Sequence, residues 1–325
     1  FYPGYANFLD QNSVEIDGTI INGETFIIAT GSKAKLLNSI NSSKKNIMTA
    51  KDIFNLKELP KSISIIGAGA IGVEFTYFFN ALGSNVTLFE AQETILPNED
   101  IEISEWMQKV LKRKKVDIKT NTKAKEIRDE HVLVCIGVEG NSKGFGLQKI
   151  GVAIGNDQHI KVDNNYQTNI KNIYAVGDVV GPPWLAHVSS TEGLYVVNHI
   201  ANLSPKQIDY NCVPACTYSK PEIGSIGLTE RQLDNHGTEY KIAKSFFNAN
   251  GRAVASGSTD GFIKILVSED NCILGAHIIG ANATEMISEF SLAIRNQLKT
   301  QNILDSIHPH PTFSESIFET LMQLK

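Results

Sequence analysis

Three glycines constrain this chain more than any other feature. Gly67, Gly69 and Gly72 stand in G-x-G-x-x-G spacing, directly after the apolar run Ile63 to Ile66 and directly before the apolar, aromatic stretch Val73 to Leu82. The run before them reads as a buried strand and the stretch after them as a helix, stopped at Gly83. A second strand, Val86 to Phe89, ends at Glu90. Each part has a physical task. The first glycine permits a tight turn, the second lets a pyrophosphate approach the backbone, and the third lets the helix pack close to the strand. The free N–H groups at the helix start face the phosphates. Glu90 lies where a carboxylate accepts the hydroxyls of an adenosine ribose, and its charge disfavours a 2′-phosphate. The unit therefore predicts a dinucleotide site that prefers NAD to NADP.

The 325 residues suffice for two or three domains with cores. With 42% hydrophobic and 20% charged residues the composition is that of a globular protein, and a net charge of −5 excludes a global basic field for nucleic acid. The sequence offers no apolar run long enough to span a bilayer and no metal-ligand spacing, so neither membrane nor metal is expected. Phe1 is not an initiator methionine, and the sequence is expected to start within a longer protein. The four cysteines, Cys135, Cys212, Cys216 and Cys272, form neither C-x-x-C nor a zinc ribbon and are read as buried or incidental thiols. So low a count suits a reducing compartment.

Along the chain, Tyr5 to Ile21 reads as a turn-rich hairpin region. Thr25 to Ala29 is a strand ending in Thr30-Gly31-Ser32, and Asn38 to Asn55 is a connection. After the fingerprint unit come a helix over Asp100 to Lys115 and strands at Val116 to Lys119 and His131 to Ile136. So little strand between Lys123 and His131 leads us to expect that residues are missing between about Ile127 and His131, near 128–131. Asn172 to Asp178 is a strand ending in Gly177-Asp178, followed by a helix from Ser189 to Ile200. From Tyr210 onward the chain is strand-rich, with helices at Ala283 to Leu298 and at the C-terminus.

Several strings, taken together and in order, resemble the flavin-dependent disulfide oxidoreductases, and within them the dihydrolipoamide dehydrogenases. They are IIATGS (27–32), IIGAGAIGVE (65–74), NIYAVGD (172–178), WLAH (184–187), YSKPEIGSIGLTE (218–230), GRA (251–253) and HPTFSE (310–315). The resemblance implies an α/β fold with Rossmann-like FAD- and NAD-binding domains and a C-terminal α+β dimerisation domain. It assigns 1–35 to the FAD domain, 36–138 to the NAD domain, 139–206 to the returning FAD domain and 207–325 to the dimerisation domain. Gly31, Asp178, Leu185, Ala186 and His187 would bind FAD. Gly67, Gly69, Gly72, Glu74, Glu90 and Gly137 would serve NAD, with Glu74 also paired to a lysine that precedes residue 1. The family's I-G-R-x-P-N reads Ile136-Gly137-Val138-Glu139-Gly140-Asn141, without the arginine and proline.

The implied activity is oxidation of protein-bound dihydrolipoamide, with electrons passing through a redox disulfide and FAD to NAD. The implied partners are a second copy of the chain, as a homodimer, and the lipoyl domains of 2-oxo acid dehydrogenase complexes. The implied location is the bacterial cytoplasm or, in a eukaryote, the mitochondrial matrix. The family's first FAD fingerprint and its Cys-x4-Cys would lie before residue 1. Alternatives are a glutathione reductase-like enzyme, disfavoured by Glu90, and a non-catalytic homologue acting in assembly.

His310 and Glu315 are the expected catalytic pair. Pro311 disfavours helix after His310, and the resulting turn can fold the carboxylate back onto the imidazole. A carboxylate on one ring nitrogen sets the tautomer and raises the basicity of the other, as proton removal from a thiol requires. Spacing alone favours a surface loop whose His and Glu never meet; the resemblance reverses this in favour of the dyad. His308 is assigned no chemistry, and His187 is read as a packing residue.

Overall fold

The computed structural model describes residues 1–37, 46–124, 127 and 129–324. Its strands are β1 (Ala6–Asp10), β2 (Ser13–Ile16), β3 (Thr19–Asn22), β4 (Phe26–Ile28), β5 (Ser32–Ala34), β6 (Asn46–Met48), β7 (Ser62–Ile66), β8 (Asn85–Phe89), β9 (Asp117–Lys119), β10 (His131–Val134), β11 (Val138–Gly140), β12 (Ile173–Ala175), β13 (Ala215–Thr217), β14 (Glu222–Gly227), β15 (Lys241–Phe246), β16 (Phe262–Val267) and β17 (Ile273–Gly280). Its α-helices are α1 (Ala70–Ala81), α2 (Ile101–Arg113), α3 (Ala186–Ile200), α4 (Glu230–His236), α5 (Gly251–Ala255), α6 (Ala283–Arg295), α7 (Thr300–Leu304) and α8 (Glu315–Leu321).

These elements form two compact units. One contains Phe1–Lys35 and Gly137–Ile208; the other contains Leu36–Ile136 and Asp209–Lys325. The second unit joins the segments expected to be the NAD and dimerisation domains. Gly137, expected on the NAD side, lies in the first unit, where its carbonyl accepts from Lys35 N–H. The reason is local: β11 pairs antiparallel with β5.

In the first unit β1, β2 and β3 form an antiparallel meander, one strand more than the hairpin expected. β4 and β12 pair in parallel, with Ile28 beside Ala175, so the turns that follow them emerge at one edge. Phe8, Ile28, Leu147, Ile173 and Val179 belong to one core beneath this pair.

In the second unit five parallel strands run in the order β6-β10-β7-β8-β9. β7 is the first strand of the fingerprint and lies where the strand order reverses direction. An open parallel sheet takes its ligand at the carboxyl ends of the strands at such a point. Within the expected connection Asn38 to Asn55, Asn46–Met48 is instead an edge strand, too short to carry a readable alternation, and 38–45 lie outside the described residues. In the stretch expected to lack residues, near 128–131, Arg128 also lies outside them, as do Lys125 and Glu126 just before it. Ala124 and Ile127 pack against Ile66, Val132 and Val134 on one face of the sheet. Ile63, Ile65, Leu88 and Leu133 share a core with the helix residues Val73, Phe79, Met107 and Leu111.

The rest of the second unit is an antiparallel sheet in the order β13-β14-β17-β16-β15. Phe290, Ile287 and Ala293 of α6 and Ile317 and Leu321 of α8 share its core with Ile263, Ile265 and Ile278. Lys264, central in β16, is fully buried, and its ammonium meets Asp100 Oδ1 at 2.8 Å, Glu102 Oε2 at 2.8 Å and Glu230 Oε1. Asp100 is also the N-cap of α2, accepting from Glu102 N–H. One lysine of the antiparallel sheet thus holds the start of a helix of the nucleotide fold.

Next to Asp100, Glu99 has a buried Oε2 with no hydrogen-bond partner among the described residues. Burial pushes its carboxyl up to about 7, against a hydrogen bond from Ser225 that lowers it. A carboxyl with a raised folded value binds its proton more tightly in the folded state. Its favourable contribution is complete below the unfolded value and is lost as pH rises through the folded one. We predict that thermal stability of the wild-type chain declines between pH 5 and pH 8 and that Glu99→Gln flattens this decline, read as unfolding midpoints across that range. Equal slopes in the two proteins would refute the assignment.

Candidate functional site

The fingerprint glycines fit the tasks the sequence gives them. A Cβ on Gly72 would meet Gly67 O at 1.8 Å, so α1 can approach β7 only with glycine there. Gly67 has φ +96°, and a Cβ there would meet Cys135 O at 2.3 Å. Gly69, the N-cap of α1, has nothing within 4 Å of its Cβ position, which leaves open space over the helix N-terminus. This is a cradle in which a pyrophosphate fits. Glu90 is buried, and its Oε2 and Oε1 accept from Ala68 N–H at 2.7 Å and Gln92 N–H at 2.9 Å. Each oxygen keeps a lone pair for a ribose hydroxyl.

Glu74, on α1, accepts from Tyr218 N–H at 2.8 Å, and burial raises its carboxyl above the ordinary range. Cys135 lies beneath the fingerprint loop, and burial, with Glu74 nearby, pushes its thiol up to about 12. Cys212 is raised to about 11 by burial and Asp209, and Cys216 and Cys272 are raised with burial as the leading cause. An attacking thiol needs the opposite shift.

In the first unit the parallel pairing of β4 and β12 sets Thr30-Gly31-Ser32 beside Gly177-Asp178. Ser32 Oγ donates to Asp178 Oδ2 at 2.8 Å. Gly31 has φ +71° and open space at its Cβ position. Two residues that the sequence did not single out hold these turns. Asn141 donates through Nδ2 to the carbonyls of Thr30 and Ser32 at 3.3 Å each, and Thr30 Oγ1 donates to its carbonyl at 2.6 Å. Glu192, buried on α3, accepts from Gly177 N–H at 2.6 Å. A carboxylate inside an amphipathic helix gives no local signal of such a partner. Leu185 is the N-cap of α3, Ala186 and His187 form its exposed first turn, and the helix begins three residues earlier than expected. Polar turns, a φ-positive glycine and a free helix start suit a second nucleotide, so the chain's residues fit FAD here as they fit NAD in the other unit.

His310 and Glu315 meet. His310 Nδ1 lies 2.8 Å from Glu315 Oε1, and Glu315 Oε2 accepts from Thr312 N–H at 2.8 Å. The backbone N–H of Thr312, and then His310, hold the Glu315 carboxyl below its ordinary value. The imidazole is 79% exposed, which leaves Nε2 open. His308, two residues earlier, points elsewhere: its side chain is 9% exposed and Nε2 lies 3.1 Å from Glu289 Oε1. Thus the structure brings together the expected dyad, and sets Glu74 on a backbone amide rather than on any lysine among the described residues.

Comparison with known proteins agrees with these two kinds of site. Residues 1–193 match the pyridine nucleotide-disulphide oxidoreductase family, and residues 213–321 match that family's dimerisation domain. A dihydrolipoyl dehydrogenase of Bacillus subtilis is 38% identical over 357 aligned positions, covering 99% of this chain and 75% of the relative. One of Mycobacterium leprae is 36% identical, covering 97% and 74%. Among solved structures, the HOCl-induced flavoprotein disulfide reductase RclA of Escherichia coli superposes with a TM-score of 0.91 at 26% identity, covering 99% of this chain and 79% of that one. LpdA of Mycobacterium tuberculosis superposes with a TM-score of 0.90 over 99% and 76%; at 24% identity this concerns the fold. Among the described residues no helix is long and apolar enough to cross a membrane. The fingerprint cradle, the paired turns at Gly31 and Asp178, and both matched domains lead to one conclusion: the chain belongs to the pyridine nucleotide-disulphide oxidoreductase family.

Proposed function

We propose that this chain acts as a dihydrolipoyl dehydrogenase, which oxidises protein-bound dihydrolipoamide and passes the electrons to NAD. The observation that carries the proposal is the His310–Glu315 pair at 2.8 Å, with the second carboxylate oxygen held by a backbone N–H and the far ring nitrogen exposed. When bound, FAD supplies the redox chemistry between dithiol and nicotinamide. The chain's own residues bind, orient and move protons. Glu315 holds the Nδ1–H tautomer of His310, so that Nε2 receives a thiol proton and gives the more nucleophilic thiolate.

In this reading 1–35 and 137–208 hold FAD through Gly31, Asp178 and the Leu185-Ala186-His187 segment. Residues 36–136 hold NAD through Gly67, Gly69, Gly72 and Glu90, with Glu74 on the nicotinamide side. Residues 209–325 pair two copies of the chain as a homodimer, and lipoyl domains of 2-oxo acid dehydrogenase complexes bring the substrate. The similarity to dihydrolipoyl dehydrogenases over nearly the whole chain supports this substrate, and the low cysteine count supports a reducing compartment, the cytoplasm of a bacterial cell.

His310→Gln in the flavin-loaded full-length enzyme is expected to lower dihydrolipoamide turnover at least ~100-fold, the scale of a lost general base. Glu315→Gln should cost less, because it removes orientation and leaves the base. Steady-state rates per bound flavin decide this, and wild-type turnover in His310→Gln would refute the proposed base. Glu90→Arg is expected to weaken use of NADH and improve use of NADPH, since the like charge facing a 2′-phosphate is replaced by an opposite one. Ratios of kcat/KM for the two nucleotides test it; a wild-type protein that uses both equally would show that Glu90 does not select.

A further inference from the structure

We propose that His308 and Glu289 form a positioning pair that fixes the loop carrying His310. The inference rests on the reading of His310 as the base. It starts from a contrast between two histidines in one H-P-H-P segment. The His310 imidazole is 79% exposed, whereas the His308 side chain is only 9% exposed, with its ring 6.4 Å from that of Phe318 on α8 and its Nε2 3.1 Å from Glu289 Oε1 on α6. The buried Nδ1 of His308 has no hydrogen-bond partner among the described residues. A bare ring acceptor is easier to bury than a bare N–H, so the ring donates from Nε2 to Glu289.

From this anchor the connection to the base is continuous. The carbonyl of Pro309 accepts from Thr312 Oγ1 at 2.7 Å, Thr312 N–H donates to Glu315 Oε2, and Glu315 Oε1 meets His310. Asn250, itself buried, donates to the Thr312 carbonyl at 3.1 Å and pins the same turn from another side. Pro309 and Pro311 each fix a φ angle, so the four-residue segment transmits a displacement of His308 instead of absorbing it. An exposed base gains nothing from packing of its own ring. Its position is set at the two ends of the loop, by Glu315 on α8 and by Glu289, through His308, on α6.

The test uses the flavin-loaded full-length enzyme, with turnover of dihydrolipoamide expressed per bound flavin and thermal midpoints recorded for every variant. His308→Phe keeps the ring volume beside Phe318 and removes the donor; Glu289→Leu removes the acceptor. Each is expected to lower kcat about tenfold, the scale of a displaced reacting group. His308→Gln places an amide N–H at the same bond count from the backbone and is expected to restore turnover to near the wild-type value. The double variant His308→Phe/Glu289→Leu should be no worse than either single one, because both remove one bond. Wild-type turnover in His308→Phe and Glu289→Leu, an equal loss in His308→Gln, or additive losses in the double variant would each overturn the pair. His310→Gln is run alongside: if it too retains full turnover, it is the reading of the base that fails, whereas a collapse in His310→Gln with no loss in His308→Phe overturns the positioning pair alone.

Discussion

One ammonium group holds the second unit together. Lys264 lies in the middle of a strand whose six residues are all buried, and a charge there is tolerable only because three carboxylates surround it. Asp100, Glu102 and Glu230 carry three negative charges, and Lys244 approaches Glu102 to balance part of the excess. Removing one partner of such a cluster leaves the others uncompensated, at a cost of about 3–5 kcal/mol. The same carboxylates begin helices: Asp100 caps α2, and Glu230 opens α4. Arg231 donates to the carbonyl of Pro97, and Trp106 and Arg113 donate to Asp260, so the loop after Glu90 and the whole length of α2 are tied to the antiparallel sheet. The position of the dinucleotide cradle relative to that sheet follows from these polar contacts and from the shared core of Ile223, Phe262 and Ile279 with the nucleotide fold.

How legible each part was in the sequence depends on how local its physics is. The glycine fingerprint is read from six consecutive residues, because a turn, a close approach and a helix start are consequences of backbone chemistry at those positions. Gly72 shows it most plainly, since its constraint is a carbonyl five residues earlier. Lys264 was invisible. In Phe262 to Val267 a lysine within an apolar strand reads as a residue reaching out to solvent, and nothing within the strand announces carboxylates at positions 100, 102 and 230. Asn141 and Glu192 were missed for the same reason: the Thr30 partner of Asn141 lies 111 residues away, and the Gly177 partner of Glu192 lies 15 residues away. His310 and Glu315 were legible only as a possibility. Five residues of spacing permit the contact, and the Thr312 amide, which fixes the second carboxylate oxygen, realises it.

The candidate sites share one device. Glu90, Glu74, Glu192 and Glu315 each accept a hydrogen bond from a backbone N–H, of Ala68, Tyr218, Gly177 and Thr312. Backbone amides are the least mobile donors a protein has, and a carboxylate fixed on one loses the rotamer freedom it would otherwise have to give up on meeting a ligand. For Glu90 the result is a carboxylate fixed at the end of β8, as the proposed ribose acceptor requires. For Glu315 it is an imidazole held in one tautomer.

The distribution of burial then separates the acid–base work from the thiols. All four cysteines are raised above the ordinary thiol range, led in each case by burial and helped in each by a neighbouring carboxylate. Arg295 near Cys212 and Lys299 near Cys272 act the other way without reversing the shift, and none of the four stands beside His310 in any contact among the described residues. The His310 imidazole is the reverse case, exposed and backed by the Glu315 carboxylate. As the proposed base, it would have its thiol brought to it. Its loop is therefore under a demand that an enclosed site does not meet: it must stay in place with no partner packed on the imidazole. Among the described residues, the bonds that hold it lie behind the ring, at Glu315 and along the loop.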